Sequence, residues 1–239
     1  MTTVTLPKAN NVGLVDAIRE GWYNKDTGEL VPGVKVSPGD TVVDVGCGDG
    51  GHISFCARQG AAVILVDLDA DRLEKTEERV RAQASNSCRA IVSDCDPLPI
   101  DTGTTDLTIC TEVLEHVPDP AQFLSELKRV TKPGGRLLLT VPDSRSESLI
   151  STTAPAEYFQ EPNHIRVFDA ESFGKLVSDS GLRIIDHRFQ GCYTTFRLLF
   201  SWLSQPEGSP VAPTGTTNIM VQHWAALWKE MMQLPGNEK

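Results

Sequence analysis

The chain has 239 residues, 40% of them hydrophobic, and carries a formal net charge of −10 at pH 7. That length and apolar content support one full core, whereas the acidic balance lacks the basic footprint of a nucleic-acid-binding domain. No uninterrupted apolar run approaches transmembrane length, and MTTVTLPKANN at the N-terminus lacks the charged and apolar regions of a secretory leader, so a cytoplasmic protein without a membrane span is expected. Six cysteines, at 47, 56, 88, 95, 110 and 192, show neither CxxC spacing nor a His-Cys ligand cluster. The expectation is reduced, mostly buried thiols, with no disulfide framework and no metal site.

In chain order, the first forty residues stand outside any regular alternation. From about residue 41, β-branched runs alternate with amphipathic segments, the pattern of a parallel sheet covered on both faces. Strands are predicted at 41–46, 62–67, 88–94, 107–112, 136–142 and 182–189, and helices at 51–59, 70–84, 120–130 and 169–180, the last opened by Asp169 as N-cap. KPGG at 132–135 reads as a turn that stops a helix before the fifth strand. Beyond residue 190, CYTTFRLLFSWL and NIMVQHWAALWKEMM carry apolar residues at helical spacing, with TTNIMVQ as an alternative edge strand; QPEGSPVAPTGTT connects them. The fold class is therefore α/β, a doubly wound, mostly parallel sheet in a single domain over 1–239. Its core spans about 40–190, helical additions lie at the N-terminus and after residue 190, and lid elements fall at about 1–36, 143–168 and 191–239.

The stretch VVDVGCGDGGH (42–52) ends the first of the alternating strands in a glycine-rich turn. Gly46, Gly48 and Gly51 have the spacing of a dinucleotide-binding loop, and the following helix N-terminus offers free N–H groups to an anion. Asp44 contradicts a pyrophosphate, since its carboxylate repels phosphate and attracts an ammonium group. A ligand with both an amino group and a carboxylate answers both ends of the loop. Asp67, at the tip of the next strand in VDLD, is placed to accept from two ribose hydroxyls. Leu68 is placed to cover one purine face, and Asp94 in VSDCD to accept from a purine amine. Each residue has a structural alternative: a carboxylate bonding loop amides for Asp44, a helix cap for Asp67 and a turn residue for Asp94.

Acids after three successive strands describe a site for an amino acid joined to adenosine. On VVDVGCGDG, VDLD, SDCDPLPI, DLTICTEVLEHVPDP and LKRVTKPGGRLLLTVP, the chain resembles the class I methyltransferases that use S-adenosylmethionine (SAM), and most of all the ubiquinone-biosynthesis-like small-molecule group. The resemblance covers about residues 40–142 and continues weakly through NHIRVFDAESFGKLVSDSGLRII. It implies a Rossmann-like fold, SAM as methyl donor with S-adenosylhomocysteine (SAH) as product, and a small-molecule acceptor methylated at O, N or C. It also implies a cofactor site formed by Asp44, Gly46, Cys47, Gly48, Gly50, Asp67, Leu68, Asp94, Cys95 and Thr111. An NAD-dependent oxidoreductase and a non-catalytic SAM-binding regulator are the competing readings.

Displacement at a sulfonium methyl needs mainly alignment of acceptor and methyl carbon, with a base useful only where the acceptor carries a proton. His164, over the end of the sheet in EPNHIRVF, is the first candidate for a base or acceptor-positioning group, and His116 in LEHVPDP is the second. A lid anchor formed with Arg166 and a structural loop histidine are the respective alternatives. Trp22, Tyr23, Tyr158 and Arg166 are the candidate substrate contacts, with surface packing the alternative for the aromatics. Trp202, Trp224 and Trp228 supply either a substrate wall or the face of a homodimer.

Overall fold

Successive residues of a strand point to opposite faces of its sheet, and the apolar residues of this chain are sorted accordingly. In a computed structural model, which describes residues 17–18, 21–84, 86–190 and 192–203, Val42, Val63, Leu65, Leu107 and Ile109 enter one core layer, whereas Val43, Val45, Ile64, Val66 and Cys110 enter the other. An antiparallel hairpin, β1 (Glu29–Val31) and β2 (Val34–Lys35), precedes the sheet. Then follow β3 (Thr41–Val45), α1 (Gly51–Arg58), β4 (Ala62–Asp67), α2 (Ala70–Arg81), β5 (Cys88–Val92), β6 (Thr105–Thr111), α3 (Pro120–Val130) and β7 (Thr131–Thr140). Beyond the sheet lie α4 (Ser144–Ile150), a 3-10 turn (Ala156–Phe159), α5 (Ala170–Asp179) and α6 (Cys192–Leu203).

The strand order is β5-β4-β3-β6-β7, with every neighbouring pair parallel. The chain winds outward from β3 through β4 to β5, then returns to lay β6 and β7 on the other side. This reversal opens a crevice between the carboxyl ends of β3 and β6, where ligands bind in open parallel sheets. Helix starts are fixed by side chains: Asp69 accepts from the Arg72 amide, Asp119 from the Ala121 and Gln122 amides ahead of Pro120, and Asp169 forms a capping box with Ser172.

Two expectations are corrected. Residues 182–189 form no strand; Ile184, Ile185 and Phe189 are exposed, and only Leu182 joins the core. Apolar spacing records which side chains share a face, not whether the backbone finds a pairing partner. KPGG does not separate helix from strand. It bulges inside β7, because Thr105 pairs with Thr131 but Leu107 pairs with Arg136, and Lys132 clamps the bulge to Asp106 at 2.8 Å. Before the sheet, the described residues Ala17 and Ile18 are helical, and a hairpin over 29–35 follows, tied down by Arg136 donating to the Gly33 and Lys35 carbonyls. After residue 190, the first expected helix is α6; NIMVQHWAALWKEMM, TTNIMVQ, Trp224 and Trp228 lie outside the described residues.

Candidate active site

The glycine loop leaves β3 and enters α1 with Gly46 and Gly50 both in the left-handed region, at φ 74° and 65°. A Cβ on Gly46 would stand 2.4 Å from Val113 Cγ2, so the loop packs directly against the segment that leaves β6. The two sides of the crevice therefore touch at one glycine. Beneath the loop, Asp44 is 1% exposed and its Oδ1 has no hydrogen-bond partner. Burial pushes its pKa up to about 7 against the Ile53 amide, with the Asp67 charge adding to the rise.

Asp67 is more fully engaged. Its Oδ2 accepts from the Gly48 amide at 2.9 Å, and its Oδ1 from the Asp69 amide at 3.1 Å and the Arg72 guanidinium at 2.8 Å. Burial raises its pKa, but these donors outweigh it and hold the carboxyl below the usual range. A carboxylate offers about four acceptor directions, so little capacity remains for a ribose while Arg72 stays in place. The Arg72 side chain is 48% exposed and has room to withdraw. Leu68, 71% exposed, presents a bare apolar surface beside it. Asp94 is exposed and accepts from the Asp96 amide at 3.2 Å, the turn arrangement that was its alternative; its second oxygen faces no protein donor among the described contacts. Cys47 and Cys95 are buried, and Thr111 ends β6 half-buried.

Across the crevice, two segments are stitched together by hydrogen bonds to main-chain carbonyls. The Ile165 amide donates to the Glu115 carbonyl at 3.0 Å, and Arg166 donates to the carbonyls of Leu114, Val117 and Pro118. Arg166 is thus an anchor of the loop after β6. The stitching places the His116 and His164 rings edge to face, with centroids 4.9 Å apart. His164 Nδ1 lies 3.1 Å from Glu147 Oε2, and the Tyr158 hydroxyl donates to Glu147 Oε1 at 3.3 Å. Tyr158 packs on His164 at 4.3 Å and against Trp202 at 4.9 Å, so α6 backs this cluster. His116 Nδ1 meets the Pro162 carbonyl at 3.1 Å.

Glu115 was not singled out in the sequence, yet it lies at the centre of this cluster. It is 1% exposed, neither carboxylate oxygen has a partner, and Oε1 stands 3.7 Å from His116 Nε2. Burial, with the neighbouring charge of Glu112, raises its pKa to about 8. Glu147 escaped notice too, because its partners lie eleven and seventeen residues away. One available signal for Glu115 was an acid directly beside His116 in a segment already marked as a site.

A family model described as a methyltransferase domain matches residues 24–187 of this chain. The chain belongs to the methyltransferase domain family. SAM as methyl donor comes with that assignment, which settles the ambiguity of the glycine spacing against a dinucleotide. Among curated relatives, the chain is 29% identical to a ubiquinone biosynthesis O-methyltransferase of Pseudomonas paraeruginosa, over 72% of this chain and 73% of that protein. It is 29% identical to the Sodalis glossinidius protein of the same description, over 62% and 65% respectively. Across the first curated relatives it matches, the chain spans from a third to about two thirds of their length. A SAM-dependent methyltransferase from Aquifex aeolicus has the same fold, with TM-score 0.52 and 19% identity over 76% of this chain and 92% of that one.

Within this methyltransferase domain, His116, His164, Tyr158 and Arg166 come together, as do Asp44, Gly46, Gly48, Gly50 and Asp67. Trp22 and Tyr23 join neither acceptor-side residue among the described contacts. They pack on α1, where Tyr23 is hydrogen-bonded to His52 Nδ1 at 2.8 Å and leans on Phe55. Among the described residues, no helix is long and apolar enough to cross a membrane, and the five described cysteines are free and buried.

Proposed function

We propose that this chain transfers the SAM methyl group to a hydroxyl oxygen of a small-molecule acceptor, by in-line displacement with proximity as the main catalytic term. The observation that carries the reading is the contact of Gly46 with Val113, which joins the acid-lined loop to the histidine cluster in one crevice. The unpartnered Asp44 Oδ1 fits the ammonium group of SAM, and Asp67 fits the ribose once Arg72 withdraws. In this reading His164, oriented by Glu147, and then His116 hold the acceptor hydroxyl or take its proton as the oxygen attacks. Tyr158 and Trp202 form an apolar wall behind them. Oxygen is favoured over nitrogen or carbon by the O-methyltransferase relatives and by acid-base groups suited to a weakly acidic hydroxyl.

Labelled SAM supplied with matched panels of phenols and catechols, amines, and carbon acids tests the proposal. Methylation confined to hydroxyl acceptors is expected. Transfer to amines or carbon alone contradicts the choice of oxygen, and SAM binding without transfer to any class returns the chain to the regulator reading. His164→Ala is expected to lower turnover by about 100-fold to 10,000-fold, the usual contribution of a positioned base, with cofactor affinity unchanged.

A further inference from the structure

We propose that Thr76, on α2, is a positioning residue for the cofactor: its hydroxyl turns the glycine loop so that the Asp49 amide faces the α-carboxylate of SAM. The proposal rests on the placing of the SAM amino acid at that loop.

Helix α2 buries Leu73, Thr76 and Val80 along one stripe, and Thr76 is its polar member, at 1% exposure. A threonine inside a helix has a local partner in the carbonyl four residues back. Thr76 instead reaches out of its helix, and its Oγ1 donates to the Gly48 carbonyl at 3.0 Å. Its methyl group meets the same loop, since a Cβ on Gly50 would stand 2.6 Å from Thr76 Cγ2. The hydroxyl holds one loop glycine and the methyl demands another.

What the hydroxyl fixes is a direction. In a planar trans peptide the C=O and N–H groups point opposite ways, so a Gly48 carbonyl held on α2 aims the Asp49 N–H away from α2. Arg79, about one turn further along, donates to the Asp49 carbonyl and holds the next peptide in the same sense. The neighbouring amides are spent inside the protein. Gly48 N–H donates to Asp67 Oδ2 at 2.9 Å, Gly50 N–H to the Cys47 carbonyl at 2.7 Å, and the Gly46 and Cys47 amides to the Val66 carbonyl. Among the described residues, the Asp49 N–H has no acceptor. Gly48 is therefore pinned at both its peptide groups by one unit, Asp67 at the tip of β4 and Thr76 on the helix that follows. A free amide in the loop above Asp44 supplies a donor for the carboxylate of the same amino acid whose ammonium group Asp44 accepts.

The test compares SAH with methylthioadenosine, which lacks the amino acid, by calorimetry on the full chain. Thr76→Val keeps the branched shape and removes the donor. It should weaken SAH by about 3- to 10-fold, the usual net worth of one hydrogen bond, and methylthioadenosine by less than about twofold. Thr76→Ser, which keeps the donor and gives up the methyl, should hold SAH within about twofold of wild type. In amide NMR spectra, the Asp49 resonance should shift on SAH addition in wild type and Thr76→Ser but not in Thr76→Val. Equal losses for the two ligands in Thr76→Val, or no loss, overturn the proposal, as does a Thr76→Ser that behaves like Thr76→Val. If Thr76→Val does not fold, Thr76→Ala set against Thr76→Ser applies the same criteria. Wild type binding the two ligands equally tightly is a separate failure: it removes the SAM amino acid from the loop, and the role of Thr76 with it.

Discussion

Asp44 illustrates how a single buried atom couples cofactor recognition to protonation. With a pKa pushed to about 7, it is half protonated at that pH, and an ammonium group placed against Oδ1 drives the proton off. SAM binding near pH 7 should therefore release up to about half a proton, measurable by calorimetry in buffers of different ionisation enthalpy. Methylthioadenosine, which lacks the amino acid, should release none; equal release by both ligands removes Asp44 from the ammonium site. Asp44→Asn should weaken SAM by about 1.5 to 3 kcal/mol, the range for a hydrogen bond to a charged group. Asp67 poses the opposite problem, since its acceptor capacity is already shared with Arg72. Asp67→Ala should cost a similar amount of SAM binding. Arg72→Ala should instead raise affinity by up to about fivefold, the worth of displacing a half-exposed ion pair. Weaker SAM binding in Arg72→Ala would mean that the guanidinium assists the cofactor instead of competing with it.

At the level of elements, the contact between the glycine loop and the segment after β6 fixes the width of the crevice. Gly46→Ala meets both a left-handed φ, costing about 1 to 2 kcal/mol, and overpacking against Val113, costing about 1 to 3 kcal/mol. Val113→Ala in the same chain should restore the overpacking share but not the backbone share. A double-mutant cycle in chemical denaturation separates them; an additive cycle means the contact is absent in solution. Legibility followed the same division between local and distant causes. The strands β3, β4 and β6 and the cap Asp169 were readable because β-branched apolar runs and short-range capping leave their signature within a few residues. The cofactor loop was readable for the same reason. The strand expected at 182–189 was not, since pairing depends on a distant edge. The Glu115, Glu147, His116 and His164 cluster draws on three segments brought together by Arg166 and a single main-chain bond from Ile165, so spacing could nominate its histidines but not the carboxylates between them.

For the molecule as a whole, Asp44 and His52 set opposing pH slopes on stability, and the buried Glu115 carboxyl, raised to about 8, adds to the Asp44 side. The Asp44 pKa rises from 3.8 to about 7, so its contribution is fully present below about 3.8 and is lost as pH rises through 7. The His52 pKa is lowered by burial from 6.5 to about 4, so its contribution is present above 6.5 and is lost as pH falls through 4. Between pH 4 and 6.5 the two slopes, each up to about 1.4 kcal/mol per pH unit, oppose each other. Asp44→Asn should consequently make stability climb more steeply with pH across that window than it does in the wild type. Denaturant titrations at half-unit intervals check this, and parallel curves for the two proteins contradict it. The thiols hold a further consequence. Cys47, Cys56, Cys88, Cys95 and Cys110 are all buried, and burial raises every one of their pKa values, so these five present almost no reactive thiolate in the native fold. They sit in the glycine loop, α1, an edge strand, the loop after it and a central strand. Alkylation at each position thus times the opening of a different part of the fold, and the chain carries its own set of clocks for local unfolding.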